Sequence, residues 1–176
     1  MIKLRFFGAI ATAALAFSVP VKADKSAGEV VDDSTITAGV KAALLDNRYT
    51  SATDINVEAY KGVVQLSGFV ETDESRKKAS KVAGQIDGVK EVRNSISVHP
   101  KTSVGTKLDD SLLTGKVKTA LIEALGGKAN QINVESKGGI VQLAGFVDSS
   151  DIKKQAAEIA SKTKGANKVE DVLIVK

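Results

Sequence analysis

Two hydrophobic periods alternate along the chain from residue 33 onward. Ile36, Val40, Ala43 and Leu44 recur at the spacing of one helical stripe, and Asp33 or Ser34 is suited to cap it. Residues 55–60 then alternate, with Ile55 and Val57 on one side. Residues 63–70 alternate again, with Val64, Leu66 and Val70 sharing a face. Lys61-Gly62 between these runs is a hairpin signal. Thr72 or Asp73 opens a second helix carrying Ala79, Val82, Ala83 and Ile86, and Gly88 is placed to end it. Residues 92–98 form a last strand. The predicted order is helix, strand, strand, helix, strand.

The same order is then written a second time. Residues 31–98 align with 108–175 at a constant offset of 77 without a gap, and 26 of the 68 positions are identical. Val64-Gln65-Leu66-Ser67-Gly68-Phe69-Val70 meets Val141-Gln142-Leu143-Ala144-Gly145-Phe146-Val147. Asp32-Asp33-Ser34 meets Asp109-Asp110-Ser111, and Ile55-Asn56-Val57-Glu58 meets Ile132-Asn133-Val134-Glu135. His99 to Lys107, with Pro100, Gly105 and small polar residues, reads as a linker.

A right-handed crossover makes the last strand of each unit parallel to the middle one. Both helices then cover one face of a small mixed sheet. By parity Gly68 and Gly145 point toward the helices, where a missing side chain lets a helix approach closely. The other face carries Tyr60, Val63 and Phe69 in unit one, and Ile140, Ala144, Phe146, Val172 and Ile174 in unit two. An uncovered apolar sheet face needs a partner. The two units can pack these faces on each other or on a second chain. Alternatively the faces receive an acyl chain or an unfolded polypeptide.

Composition narrows the chemistry. Cysteine and tryptophan are absent, aromatic residues are 4%, and His99 is the single histidine. Disulfides, thiol nucleophiles and zinc-thiolate sites are therefore excluded, and base-stacking platforms lack material. No Walker-type glycine-rich phosphate loop occurs, so nucleotide is not expected, nor is any cofactor. These features argue against an enzyme. The formal charge is +4, but Lys3, Arg5 and Lys22 lie in the first 23 residues with no acid, so the rest is near +1. The charge therefore gives no case for nucleic acid.

Those first residues have a basic start, an apolar run from Phe6 to Val19, and Val21 and Ala23 at the −3 and −1 positions. This is the pattern of a cleavable signal peptide, cut between Ala23 and Asp24. The apolar run is short for a membrane span, which needs roughly 20 residues; an uncleaved anchor is the alternative. Export of a cysteine-free chain suits a Gram-negative periplasm.

The Asp32-Asp33 and Asp109-Asp110 pairs sit at expected helix starts and read as caps rather than as a cation site or paired catalytic carboxylates. Lysines on the second helices are interleaved with acids and read as a solvated face. On the first helix of unit two, Leu112 beside Lys116 and Lys118 is a small amphipathic signature for a lipid surface.

Gly62-Val63-Val64-Gln65-Leu66-Ser67-Gly68-Phe69-Val70, Ala79 and Gly88-Val89 followed by Val92, Asn94, Ile96 and Val98 resemble the BON domain, the bacterial OsmY and nodulation domain. The second copy resembles it through residues 139–147, Ala156, Gly165 and Val169, with Ala166 and Asp171 as departures. The resemblance implies an α+β fold of two tandem units, each α-β-β-α-β with two helices on one face of a three-stranded mixed sheet. The division is 1–23 signal peptide, 24–30 flexible tail, 31–98 first unit, 99–107 linker and 108–176 second unit. It also implies non-catalytic binding in the envelope under osmotic or envelope stress, to phospholipid surfaces or to client envelope proteins in a chaperone-like way. The alternative is a module for self-association or attachment to other envelope proteins. Candidate lipid- or client-binding residues are Phe69, Phe146, Leu112, Lys116, Lys118, Ile140 and Ile174. No metal ligands or catalytic residues are expected.

Overall fold

A computed structural model describes residues 32–47, 50, 54–99 and 104–176, with side chains of the last stretch described from 109 onward. The expected signal peptide and tail lie outside the described residues.

Unit one runs α1 (Asp33–Leu45), β1 (Ile55–Tyr60), β2 (Val63–Val70), α2 (Asp73–Ala83), β3 (Glu91–Asn94) and β4 (Ser97–Val98). β1 and β2 are antiparallel, with Tyr60 opposite Val63 and Ile55 opposite Gly68. β3 and β4 both pair parallel to β2 at one register, Leu66 with Asn94 and Phe69 with Ser97. They are two halves of the single expected strand. At the break the Ile96 N–H bonds to the Asn94 side chain at 3.0 Å, and Ile96 is buried in the core.

Unit two repeats the plan with α3 (Val104–Leu125), a 3-10 segment (Gly126–Gln131), β5 (Asn133–Lys137), β6 (Ile140–Ala144), β7 (Phe146–Val147), α4 (Ser150–Lys162), β8 (Lys168–Asp171) and β9 (Ile174–Val175). β5–β6 are antiparallel, and β6–β8 and β7–β9 are parallel. Each unit has its own core between helices and sheet. Ile36, Val40, Leu44, Val57, Val64, Leu66, Ala79 and Ala83 fill the first, and Leu113, Val117, Leu121, Val134, Val141, Leu143, Ala156 and Ala160 the second.

Several local expectations are corrected. Asp32, not Asp33 or Ser34, caps α1, accepting from the Ser34 N–H. α2 ends at Ala83, short of Ile86, so Gly88 lies in a following turn rather than at a helix end. α3 begins at Val104, inside the stretch read as linker, so Asp109 and Asp110 lie within a helix rather than at its start.

The aspartates also do more than cap. Asp33 Oδ2 and Oδ1 accept from the N–H groups of Lys61 and Gly62 at 2.7 and 2.8 Å. Asp110 accepts in the same way from Gly138 and Gly139 at 2.9 and 3.1 Å. Both turn residues have positive φ in each unit, which turns two successive N–H groups toward one carboxylate. The first helix is thereby tied to the tip of its hairpin.

Gly68 and Gly145 are corrected too. Their φ values are +107° and +125°, and an added Cβ would lie 2.2 Å from the carbonyl oxygen of Asp54 or Gln131. The backbone of the segment before the first strand, not an α-helix, demands the glycine.

Candidate functional site

The helix-free faces of the two sheets pack on each other, β2 across β6. Their centre is polar. Gln65 and Gln142 are 1% and 2% exposed, and each reaches across to the other unit. Gln65 Oε1 accepts from the Gly145 N–H at 2.8 Å, and its Nε2 donates to the Val172 carbonyl at 2.6 Å. Gln142 Oε1 accepts from the Gly68 N–H at 2.6 Å, and its Nε2 donates to the Ser95 carbonyl at 3.0 Å. A neutral amide is required, since one group must both accept and donate in a place closed to water. Around this centre Asn56 donates to Glu135 at 3.2 Å and Asn133 to Glu58 at 2.5 Å. Ser97 Oγ donates to Glu170 Oε2 at 2.5 Å. Partial burial pushes the Glu170 carboxyl up, but hydrogen bonds from Ser97, Lys168 and Gln142 outweigh this and hold it below its ordinary value.

Aromatic contacts close the rim. The Tyr60 ring lies 5.6 Å from Phe146, and Lys176 Nζ sits 5.4 Å from the Tyr60 centroid. His99, read as a linker residue, meets Phe69 edge-on at 5.4 Å while its N–H continues the ladder to the Val70 carbonyl. Phe69 and Phe146 are 5% and 7% exposed, so neither is an open surface anchor in this arrangement. Ile140 and Ile174 are half-buried. The sequence reading passed over both glutamines, although each is a polar residue at an interior strand position, present in both copies. That placement was the available signal.

The other candidates lie on the outer face of α3. Leu113, Val117 and Leu121 face the core, and Leu112 and Ile122 stand on the opposite side at 56% and 57% exposure. At about 3.6 residues per turn Leu112, Gly115, Thr119 and Ile122 share that outer face, with Lys116 on one flank and Lys118 on the other. Ser111, Leu112, Gly115, Lys116, Thr119, Ala120 and Glu123 line a shallow open depression there. Nothing lies within 4 Å of where a Gly115 Cβ would stand, so packing does not require glycine at this interior helical position. Ile122 and Gly115 were not singled out from sequence, because helical periodicity marks core stripes more readily than a sparse outer one.

Several basic residues of α2 and α4 are engaged within the chain. Arg76 and Lys77 pair with Asp73, Lys162 pairs with Glu158, and Lys153 donates to the Leu173 carbonyl at 2.6 Å. Among the described residues no group of three His, Asp or Glu side chains is placed to hold a metal ion. Among them, too, no helix is long and apolar enough to cross a membrane.

Known proteins with the same pattern exist. The chain is 37% identical over 151 residues to the osmotically-inducible protein Y of Escherichia coli (strain K12), covering 85% of this chain and 75% of that protein. It is 34% identical over 146 residues to the outer membrane lipoprotein DolP of Haemophilus influenzae, covering 82% and 75%. A solved structure of CdsD, a structural protein of the type III secretion system of Chlamydia trachomatis, shares 15% identity at a TM-score of 0.34 and covers 83% of this chain and 64% of its own. The family model of the BON domain matches residues 32–100 and again 109–176. The chain belongs to the BON domain family, and its two copies of the domain are packed face to face.

Proposed function

We propose that this is an exported, non-enzymatic protein of the bacterial envelope whose second unit docks on anionic phospholipid surfaces through the outer face of α3. One observation carries this reading. Leu112 and Ile122 are exposed on the side of α3 away from the core, between Lys116 and Lys118, around a glycine that packing does not need. Apolar side chains flanked by lysines fit the boundary between acyl chains and head groups, and each basic residue near an anionic surface adds about 1 kcal/mol. The relatives support the compartment and the setting: one is named an outer membrane lipoprotein and another osmotically inducible. A signal peptide over 1–23, cut after Ala23, fits a periplasmic protein acting under osmotic stress.

Client binding by the sheet faces around Phe69, Phe146, Ile140 and Ile174 would require the units to part, because those faces cover each other.

The test is co-sedimentation of residues 24–176 with anionic and neutral vesicles at low and moderate salt. Binding is expected to anionic vesicles only, to weaken as salt rises, and to fall about thirtyfold on loss of both lysine charges in Lys116→Gln/Lys118→Gln. Leu112→Ser/Ile122→Ser should weaken it at every salt. Equal absence of binding to both vesicles would remove the lipid reading and leave attachment to envelope proteins.

A further inference from the structure

The bonds joining the two units come from the same positions in each. Adding 77 to Asn56, Glu58, Gln65, Gly68 and Ser95 gives Asn133, Glu135, Gln142, Gly145 and Val172. Most central bonds have a mirror: Gln65 to Gly145 and Val172 against Gln142 to Gly68 and Ser95, and Asn56 to Glu135 against Asn133 to Glu58. The further bond from Gln142 Nε2 to Ser97 Oγ at 3.2 Å has none, because Ile174 stands at the mirrored position. The centre is self-complementary, as in a two-fold dimer. The rim is not. Ser97 donates to Glu170, while the mirrored positions hold Ile174 and Arg93 and cannot form that bond. Tyr60 packs at a tilt on Phe146, while the mirrored pair is Lys137 and Phe69. The Ser97–Glu170 bond selects unit one on unit two over two like units, which would set Ser97 against Arg93 or Ile174 against Glu170. Tyr60 would meet the Phe69 of a second unit one as well, so it disfavours only two units two.

We infer that a second copy of this chain is a partner for these faces, through an exchange in which unit one of each copy packs on unit two of the other. Exchange keeps every cross-unit bond, central and one-way alike. Only the connection between the units changes, so exchanged dimer and monomer differ in chain entropy rather than in contacts. A short connection holds the partner unit at an effective concentration on the order of millimolar. The monomer therefore dominates in dilute solution, and exchange is favoured where chains fold close together. The dimer reverts slowly, because both buried glutamine pairs must part first.

The native chain has no cysteine, so single substitutions report cleanly. Asn133 and Glu58 touch across the interface, and one copy would carry Glu58→Cys while another carries Asn133→Cys. The double variant in one chain should close on itself and serve as the geometric control. When the single variants are refolded together at high concentration and oxidised, cross-linked dimers should be almost wholly mixed, Glu58→Cys with Asn133→Cys. Adding Gln65→Ala/Gln142→Ala should abolish them. The wild type refolded at high concentration should show a species of twice the monomer mass by light scattering. A mass of one chain at every concentration would overturn the inference, as would mixed and like cross-links in random-collision proportions.

Discussion

Gly68 and Gly145 show how much one missing carbon can decide. Each holds a positive φ, and a methyl group there would lie 2.2 Å from a backbone carbonyl oxygen. Gly68→Ala is expected to destabilise the chain by roughly 2–4 kcal/mol, combining a strained backbone with a steric clash. Urea denaturation checks this. A cost below about 1 kcal/mol would mean that the preceding segment gives way easily. The glycine itself was visible in the repeated motif, but its reason was not. Parity indicates which face a residue takes, whereas the approach of Asp54 or Gln131 depends on how a segment outside the strand returns to it.

At the scale of elements, the carboxylate clamps set each first helix against its hairpin. Asp110 is 7% exposed and accepts two turn N–H groups. Asp110→Ala leaves both donors without that acceptor, at an expected cost of about 1–3 kcal/mol. The matching Asp110→Asn should recover part of the loss, since an amide oxygen can still accept one bond; thermal unfolding of both variants distinguishes the clamp from mere side-chain packing. Helices, strands and core stripes were legible because their period is local: β1 and β2 match the alternating runs at residues 55–60 and 63–70. The clamp was hidden, since Asp33 and Gly62 meet only after α1 has packed on the sheet. The start of α3 at Val104 was hidden differently. Gly105 and Thr106 carry turn preferences, and continuity with the long helix beyond them prevails.

For the whole molecule, the duplication supplies both the interface and its partner. Sequence exposed the repeat and the apolar sheet faces, and left open what covers them. The answer lay in the glutamines, whose bonding partners in the other unit lie 45 to 107 residues away. Glu170 ties the units together as a charge. Its folded carboxyl is held below the ordinary value of 4.5, so its contribution is present above that value and lost as pH falls through the depressed one. Wild type should therefore exceed Glu170→Gln in stability at neutral pH, with the gap closing as pH falls from the ordinary carboxylate value through the lowered one. A gap independent of pH would assign the contact to shape rather than charge.

The chain contains two tyrosines and no tryptophan. One of the two, Tyr60, is wedged at the rim between the Phe146 ring and the ammonium groups of Lys61 and Lys176. The protein thus carries an intrinsic optical gauge of its own closure. Parting of the units withdraws Phe146 and Lys176 from that ring and admits water, so native tyrosine emission reports the transition without dye or label.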